Sequence, residues 1–139
     1  KDTIMAAIAS VRSDSNPTDW CLITYTAAKS KTLRLHGSGS GGFDEMMTNM
    51  ADDVIMYGLY RTYDKVDDSI TVKFCFVDWR GASIHRMQRA VLGTHSGAVN
   101  SIFQPYHVDV IATRLDELTT DIIMAKIQKA SGTAVYVMN

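Results

Sequence analysis

The stretch that most constrains this chain is residues 82 to 103. At 100° per residue, Ile84, Met87, Val91, Ala98 and Ile102 fall in one apolar stripe. The phase survives Gly93 and Gly97, so the spacing predicts one long helix, kinked near Gly93, rather than two. His95 falls on that stripe, whereas Arg86 and Arg89 project from the opposite side. Before the helix, Ser69 to Trp79 is the most hydrophobic run of the chain and reads as a strand inside a sheet. After it, Gln104-Pro105 stops the helix and Tyr106 to Ile111 reads as another strand. A strand, a helix and a strand form a right-handed crossover, so those two strands are expected to be parallel.

Upstream, the pattern turns antiparallel. Ile4, Ile8 and Val11 mark an amphipathic first helix that Asn16-Pro17 stops. Trp20 to Thr26 and Thr32 to His36 read as a hairpin, and Gly37 to Gly42 as a flexible loop. Phe43, Met46, Met47 and Met50 mark a short helix ending near Asp52-Asp53. Val54 to Tyr63 reads as a strand with Tyr57, Leu59, Arg61 and Tyr63 on one face and Met56, Gly58, Tyr60 and Thr62 on the other. The polar turn Asp64 to Asp68 joins it to the hydrophobic strand. Downstream, Leu115 to Leu118 gives a helical turn, and Thr119 or Thr120 caps a last helix that runs to about Ala130, where Ser131-Gly132 stops it. The result is a mixed sheet with helices in one domain, residues 1–139, without internal repeats.

Charge narrows the classes of partner. Lys and Arg number 14 against 15 Asp and Glu, a net charge of −1, so no overall field holds nucleic acid or an anionic membrane. Residues 71–139 carry seven Lys/Arg against five Asp/Glu, a local balance of +2, and it is there that basic patches are expected. Cys21 and Cys75 lie in apolar runs without CxxC spacing and read as buried reduced thiols. Thr3 to Val11 is too short to span a bilayer, and its helical spacing does not read as a signal peptide. With Lys1 first, removal of an initiator residue is expected.

Candidate sites are few. Gly37, Gly39 and Gly42 formally match G-x-G-x-x-G between a strand and a helix, with Asp64 some twenty residues on, as in a dinucleotide fingerprint. Against that reading stand the antiparallel hairpin before it and the lack of further βαβ units. His36, His85, His95 and His107 show no metal-ligand spacing, and His95 reads as a core histidine with one hydrogen-bond partner. Asp64, Asp67 and Asp68 lack the pattern of a calcium loop and read as a solvated hairpin tip. No catalytic, metal or cofactor constellation results. Three basic groupings remain: Arg86 with Arg89, Lys126 with Lys129 near a helix C-terminus, and Lys73 interrupting an apolar strand. A charge on an interior strand must lie at the rim of the sheet or find a partner.

Taken in order, several segments resemble the actin-depolymerising-factor homology domain and, within it, the coactosin-like group. They are Asp52-Asp53-Val54 leading into Tyr57–Tyr63, Lys73-Phe74 running to Trp79-Arg80-Gly81, Gln88 to Thr94, and Lys129-Ala130-Ser131-Gly132 through Tyr136. The resemblance covers essentially the whole chain. It implies a non-catalytic α/β (α+β in some schemes) module of the gelsolin-like kind, a central mixed sheet of five to six strands with helices on both faces. It implies a protein of the cytoplasm and cytoskeleton that binds filament sides, binds actin monomers weakly at most, and does not sever strongly. It places Arg86, Gln88 and Arg89 at one actin contact and Lys73, Lys126 and Lys129 at a second, used mainly for filaments. A cofilin-like monomer-binding or severing factor is the alternative within the family. Here the lysine-rich stretch of severing cofilins reads His85-Arg86-Met87-Gln88-Arg89, with two fixed charges. A dinucleotide-binding enzyme using Gly37–Gly42 is the alternative outside it.

Overall fold

In the computed structural model of this chain, residues 2–27 and 30–130 are described. The expected stop at Ser131-Gly132 and the resembling segment out to Tyr136 lie outside the described residues. Among those described, the elements run α1 (Asp2–Arg12), β1 (Trp20–Tyr25), β2 (Leu33–Gly39), α2 (Gly42–Met47), β3 (Ile55–Val66), β4 (Ser69–Arg80), α3 (Arg86–Phe103), β5 (Val108–Ala112), a 3-10 turn (Leu115–Glu117) and α4 (Thr120–Ala130).

The strands form one mixed sheet in the order β2-β1-β3-β4-β5. The β1–β2, β1–β3 and β3–β4 pairs are antiparallel, while β4 and β5 are parallel, as the crossover through α3 requires. Alternation along the strands sorts the core into two layers. Met56, Cys75, Val77 and Trp79 face Phe43 and Met46 of α2 and Ile123 and Ile127 of α4. Tyr57, Leu59 and Phe76 face Ile4 and Ile8 of α1 and Leu92, Val99 and Phe103 of α3. Cys21 belongs to the second layer and Cys75 to the first, so the sheet separates two buried thiols that burial pushes up to about 12.

Three expectations need correction. Gly37-Ser38-Gly39 is not loop: it pairs with Leu22, Cys21 and Trp20 as the end of β2. The indole of Trp20 lies over this segment, and a Cβ at Gly39 would come within 2.8 Å of it. The close approach of an aromatic ring to bare backbone is what the glycine permits. Second, the polar turn shrinks to Asp67-Asp68, because the β3–β4 ladder continues to Val66↔Ser69. Asp67 takes φ 55°, a left-handed conformation that aspartate tolerates. Asp64 is consequently a strand residue, 3% exposed, and not part of a solvated tip. Third, the second helix ends at Met47, and α3 begins at Arg86 rather than at residue 82.

Arg61 fixes the first connection. Its guanidinium, buried on the α1 side, donates to the carbonyls of Val11 (2.7 Å), Ser13 (2.6 Å) and Asn16 (2.8 Å). Those carbonyls lie at and just beyond the end of α1, where helical acceptors have no partner of their own. Arg12 does similar work for α3, donating to the Phe103 carbonyl at 2.6 Å.

Candidate functional site

The six predicted site residues fall on two surfaces. Lys73 shares its strand face with Cys75, Val77 and Trp79, and therefore points into the α4 layer. Parallel pairing of β5 starts at Cys75↔Val108, so Lys73 lies beyond the end of β5, half-buried at the rim of the sheet. The rim position is the one expected for a charge on an interior strand. Lys126 and Lys129 occupy the exposed side of the last turns of α4. With His107, Val108, Asp109 and Ala130 they line a shallow groove between α4 and the start of β5. The His107 imidazole lies in the field of Lys73. The fold thus gathers Lys73, Lys126 and Lys129 at one end of one layer, and none of the three forms an ion pair with a described residue.

Arg86, Gln88 and Arg89 belong to the other layer and the other end. The helix α3 starts just after β4 finishes at Arg80, seven residues from Lys73, or roughly 23 Å along the strand. Arg86 and Arg89 are exposed, and Arg89 reaches the Ala82 carbonyl at 3.3 Å. Gln88 is half-buried and serves the helix itself. Its Oε1 accepts from the His85 backbone N–H at 2.8 Å, while the His85 ring accepts from the Met87 backbone N–H at 3.2 Å. This is a capping box with histidine in the N-cap place, which the sequence reading missed because histidine is not a usual cap.

The helix is also turned from its expected orientation. Its buried residues are Val91, Leu92, Val99 and Phe103, whereas Met87 is 39% exposed and Ala98 is exposed. At 100° per residue the true inward direction lies roughly 80° from the predicted stripe. Leu92 and Phe103, the bulkiest apolar groups, win the sheet-facing side over Met87 and Ala98. The outward strip is therefore Met87, Ala90, Gly93, Thr94 and Gly97, with Arg86 inside it, between Gly93 and Gly97, and Arg89 along its flank. Met87, Ala90, Val91 and Thr94 form a shallow depression there with Lys31 of the β1–β2 connection.

His95 is half-buried, and its Nδ1 lies 3.0 Å from the Tyr25 hydroxyl, which in turn lies 2.8 Å from the Tyr57 hydroxyl. The expected single partner for His95 is thus Tyr25. Burial raises the Tyr25 phenol and raises Tyr57 further, so both are neutral donors at physiological pH.

The glycine run does not cradle phosphate. Besides the strand pairing of Gly37–Gly39, the Glu45 carboxylate fills the space beside Gly39 and Gly41 and accepts from the Gly41 N–H at 2.9 Å. A second bond, from Trp20 Nε1 at 2.8 Å, ties the same oxygen to β1. A carboxylate where a dinucleotide's pyrophosphate would sit repels that ligand. No group of three or more metal-ligating side chains occurs among the described residues, and none of their helices is long and apolar enough to cross a membrane.

A mixed sheet in this order, with α1 and α3 on one face and α2 and α4 on the other, has a counterpart among known sequences. The chain belongs to the cofilin/tropomyosin-type actin-binding protein family, matched over residues 1–128. Within that family it is similar to coactosins. Coactosin of Entamoeba histolytica is 31% identical over 130 residues, 93% of this chain and 88% of the relative. Coactosin of Dictyostelium discoideum is 33% identical over the same shares. The crystal structure of the Entamoeba histolytica coactosin superimposes with a TM-score of 0.86 at 28% identity, covering 94% of each chain.

Proposed function

We propose that residues 1–139 form one non-catalytic coactosin-like domain that binds the sides of actin filaments and regulates their dynamics without strong severing. It works at the cytoskeleton in the cytoplasm, requires no cofactor, and binds actin monomers weakly at most. Nucleic acid and membranes are not its partners, since a net charge of −1 supplies no bulk attraction to either. The observation that carries this reading is that Lys126 and Lys129 line one groove, with Lys73 at the sheet rim close to its His107, and that none of the three is ion-paired with a described residue. A near-neutral protein can hold the acidic surface of actin through a few convergent cations with apolar neighbours. Arg86 and Arg89, with the Met87–Thr94 strip that Gln88 holds in place through its cap, form the second contact.

Co-sedimentation with filaments tests it. The wild type is expected to pellet, and to pellet less as salt rises. Lys73→Ala with Lys129→Ala is expected to remove most of the pelleting, at about 2 kcal/mol per side chain if each is a hot spot. Unchanged pelleting of the double variant would overturn the groove assignment, and absence of wild-type pelleting would overturn the function. Filament length after mixing separates side binding from severing, because only severing shortens filaments.

A further inference from the structure

At the end of the sheet where α3 begins, β1 and β3 part company. Their ladder stops at Ile23↔Tyr57, although β3 starts two residues earlier at Ile55. β1 stays with β2 instead, through Thr24↔Arg34 and Tyr25↔Leu33. The register of that pair shifts between Leu22 and Ile23 and leaves His36 of β2 without a partner residue. A bulge of this kind increases the local twist, which carries the end of the hairpin away from β3. A side chain spans the gap in place of a backbone bond: the Thr24 hydroxyl donates to the Ile55 carbonyl at 2.6 Å.

The gap opens into a cavity of about 200 Å³ between the strand ends and the first turn of α3. Val54, Ile55 and Met56 give it an apolar wall, with Ala27 and Tyr25 across from them. The Tyr25 hydroxyl already has Tyr57 and His95 as partners. Arg34 lines the cavity from β2; it is exposed and forms no ion pair with a described residue. Gln88 lines it from α3, and with Oε1 on the His85 backbone N–H its amide has the Nε2 end left to donate. His36 stands beside them, its Nε2 held 3.1 Å from Asn49 Oδ1. No Asp or Glu is among the described residues that line the cavity.

These groups define a ligand. A guanidinium and an amide without a competing carboxylate select an oxyanion, and the planar guanidinium fork can hold two oxygens of a carboxylate or phosphate. An apolar cavity of about 150 Å³ accommodates benzene. One of about 200 Å³ therefore takes a single ring together with its acid group, and not a drug-sized molecule.

We propose that this cavity binds a compact organic acid, a carboxylate or phosphate monoester on one apolar ring, with Arg34 and Gln88 on the oxyanion and Val54, Met56 and Tyr25 around the ring. Because Gln88 also belongs to the cap of α3, an occupied site ties β2 to the first turn of that helix. The site stands apart from the filament-binding reading, and its test uses no actin.

NMR titration of the free protein decides it, with benzoate, phenyl phosphate, inorganic phosphate and benzyl alcohol as probes. Benzoate or phenyl phosphate should shift the amides of Thr24, Arg34, Met56 and Gln88 with a Kd on the order of 1 mM or tighter, and the tighter of the two names the acid group. Inorganic phosphate has the charge without the ring and benzyl alcohol the ring without the charge, so each should bind at least about tenfold more weakly. Arg34→Gln should fold like the wild type and lose at least about tenfold in affinity for the better acid. Lys65→Gln, which removes a positive charge near the opposite end of β3, should bind as the wild type does. Amide exchange in the first turn of α3 should slow when the acid is bound. The proposal is overturned if neither aromatic acid shifts those amides at about 10 mM. Equal binding of inorganic phosphate or of benzyl alcohol also overturns it, since the cavity then reads only charge or only apolar surface. So does undiminished binding by Arg34→Gln.

Discussion

Glu45 is exposed, yet its carboxylate does local structural work. The Gly41 N–H and then the Trp20 indole N–H hold its pKa below the usual glutamate range. A carboxyl lowered in the folded state contributes stability that is present above its unfolded pKa and lost as pH falls through the folded one. Glu45→Gln can still accept both bonds, so its unfolding midpoint at neutral pH should stay close to that of the wild type. Below about pH 4.5 the wild type should lose an increment of urea resistance that the variant does not lose. Gly81 tests packing at the same scale. A Cβ there would run into the backbone carbonyls of Asp52 and, at 2.8 Å, Ala51. Gly81→Ala should cost about 2 kcal/mol, read as a lowered denaturant midpoint, because backbone cannot yield as a flexible side chain can. Of these residues, the sequence made Trp20 legible as a strand residue but could not reveal that Glu45, twenty-five positions on, caps its indole.

Among the elements, α3 separates what pattern fixes from what packing fixes. Periodicity is enough to predict a single helix ending at Gln104-Pro105, and the helix runs unbroken from Arg86 to Phe103. Its rotation was not legible, since a helical wheel counts apolar positions without knowing which of them the sheet has room for. The capping box that starts it should be measurable. Gln88→Ala removes the acceptor for the His85 N–H and should cost about 1 kcal/mol, with faster amide exchange confined to the first turn of α3. If the Met87–Thr94 strip binds actin, the same variant should weaken pelleting modestly while Lys73 and Lys129 remain effective. Hairpin β3–β4 shows the opposite outcome: its strands were recognised, but Asp64 and Lys65 looked like turn because they are charged. Only the partner strand decides that an aspartate continues a ladder, and here Thr71 pairs with Asp64.

For the whole molecule, the decisive fact is that the two basic surfaces lie on opposite layers and opposite ends of the sheet. Side chains this far apart, without shared partners, should act independently. Losses in filament affinity from Arg86→Ala/Arg89→Ala and from Lys73→Ala/Lys129→Ala should therefore add within about 0.5 kcal/mol in the quadruple variant, measured by co-sedimentation at constant salt. A marked shortfall from additivity would mean that the two patches are energetically coupled, whereas a null effect of one pair would mean that the other patch alone contacts the filament. The same layering predicts that oxidants cannot join Cys21 to Cys75 while the fold is intact, since the sheet lies between them. Native protein should leave both thiols unreactive toward a thiol reagent at neutral pH, and denatured protein should release both.

The sequence by itself determined the periodic elements, the parallel pair forced by the crossover through α3, and an interior strand with a lysine that had to reach a rim. It also supplied, through the order of its segments, the family to which the chain belongs. These properties follow from local spacing and chain connectivity, which sequence records directly. Tertiary structure alone decided that Lys126 and Lys129 line a groove near the rim where Lys73 lies, that Arg86 and Arg89 lie on the far layer, and that His107 binds the strand carrying Lys73. Those relations join residues between 33 and 56 positions apart, for Phe74 to His107 and Lys73 to Lys129. Their geometry depends on sheet register and helix rotation, which the packing of the two cores sets and no single segment encodes.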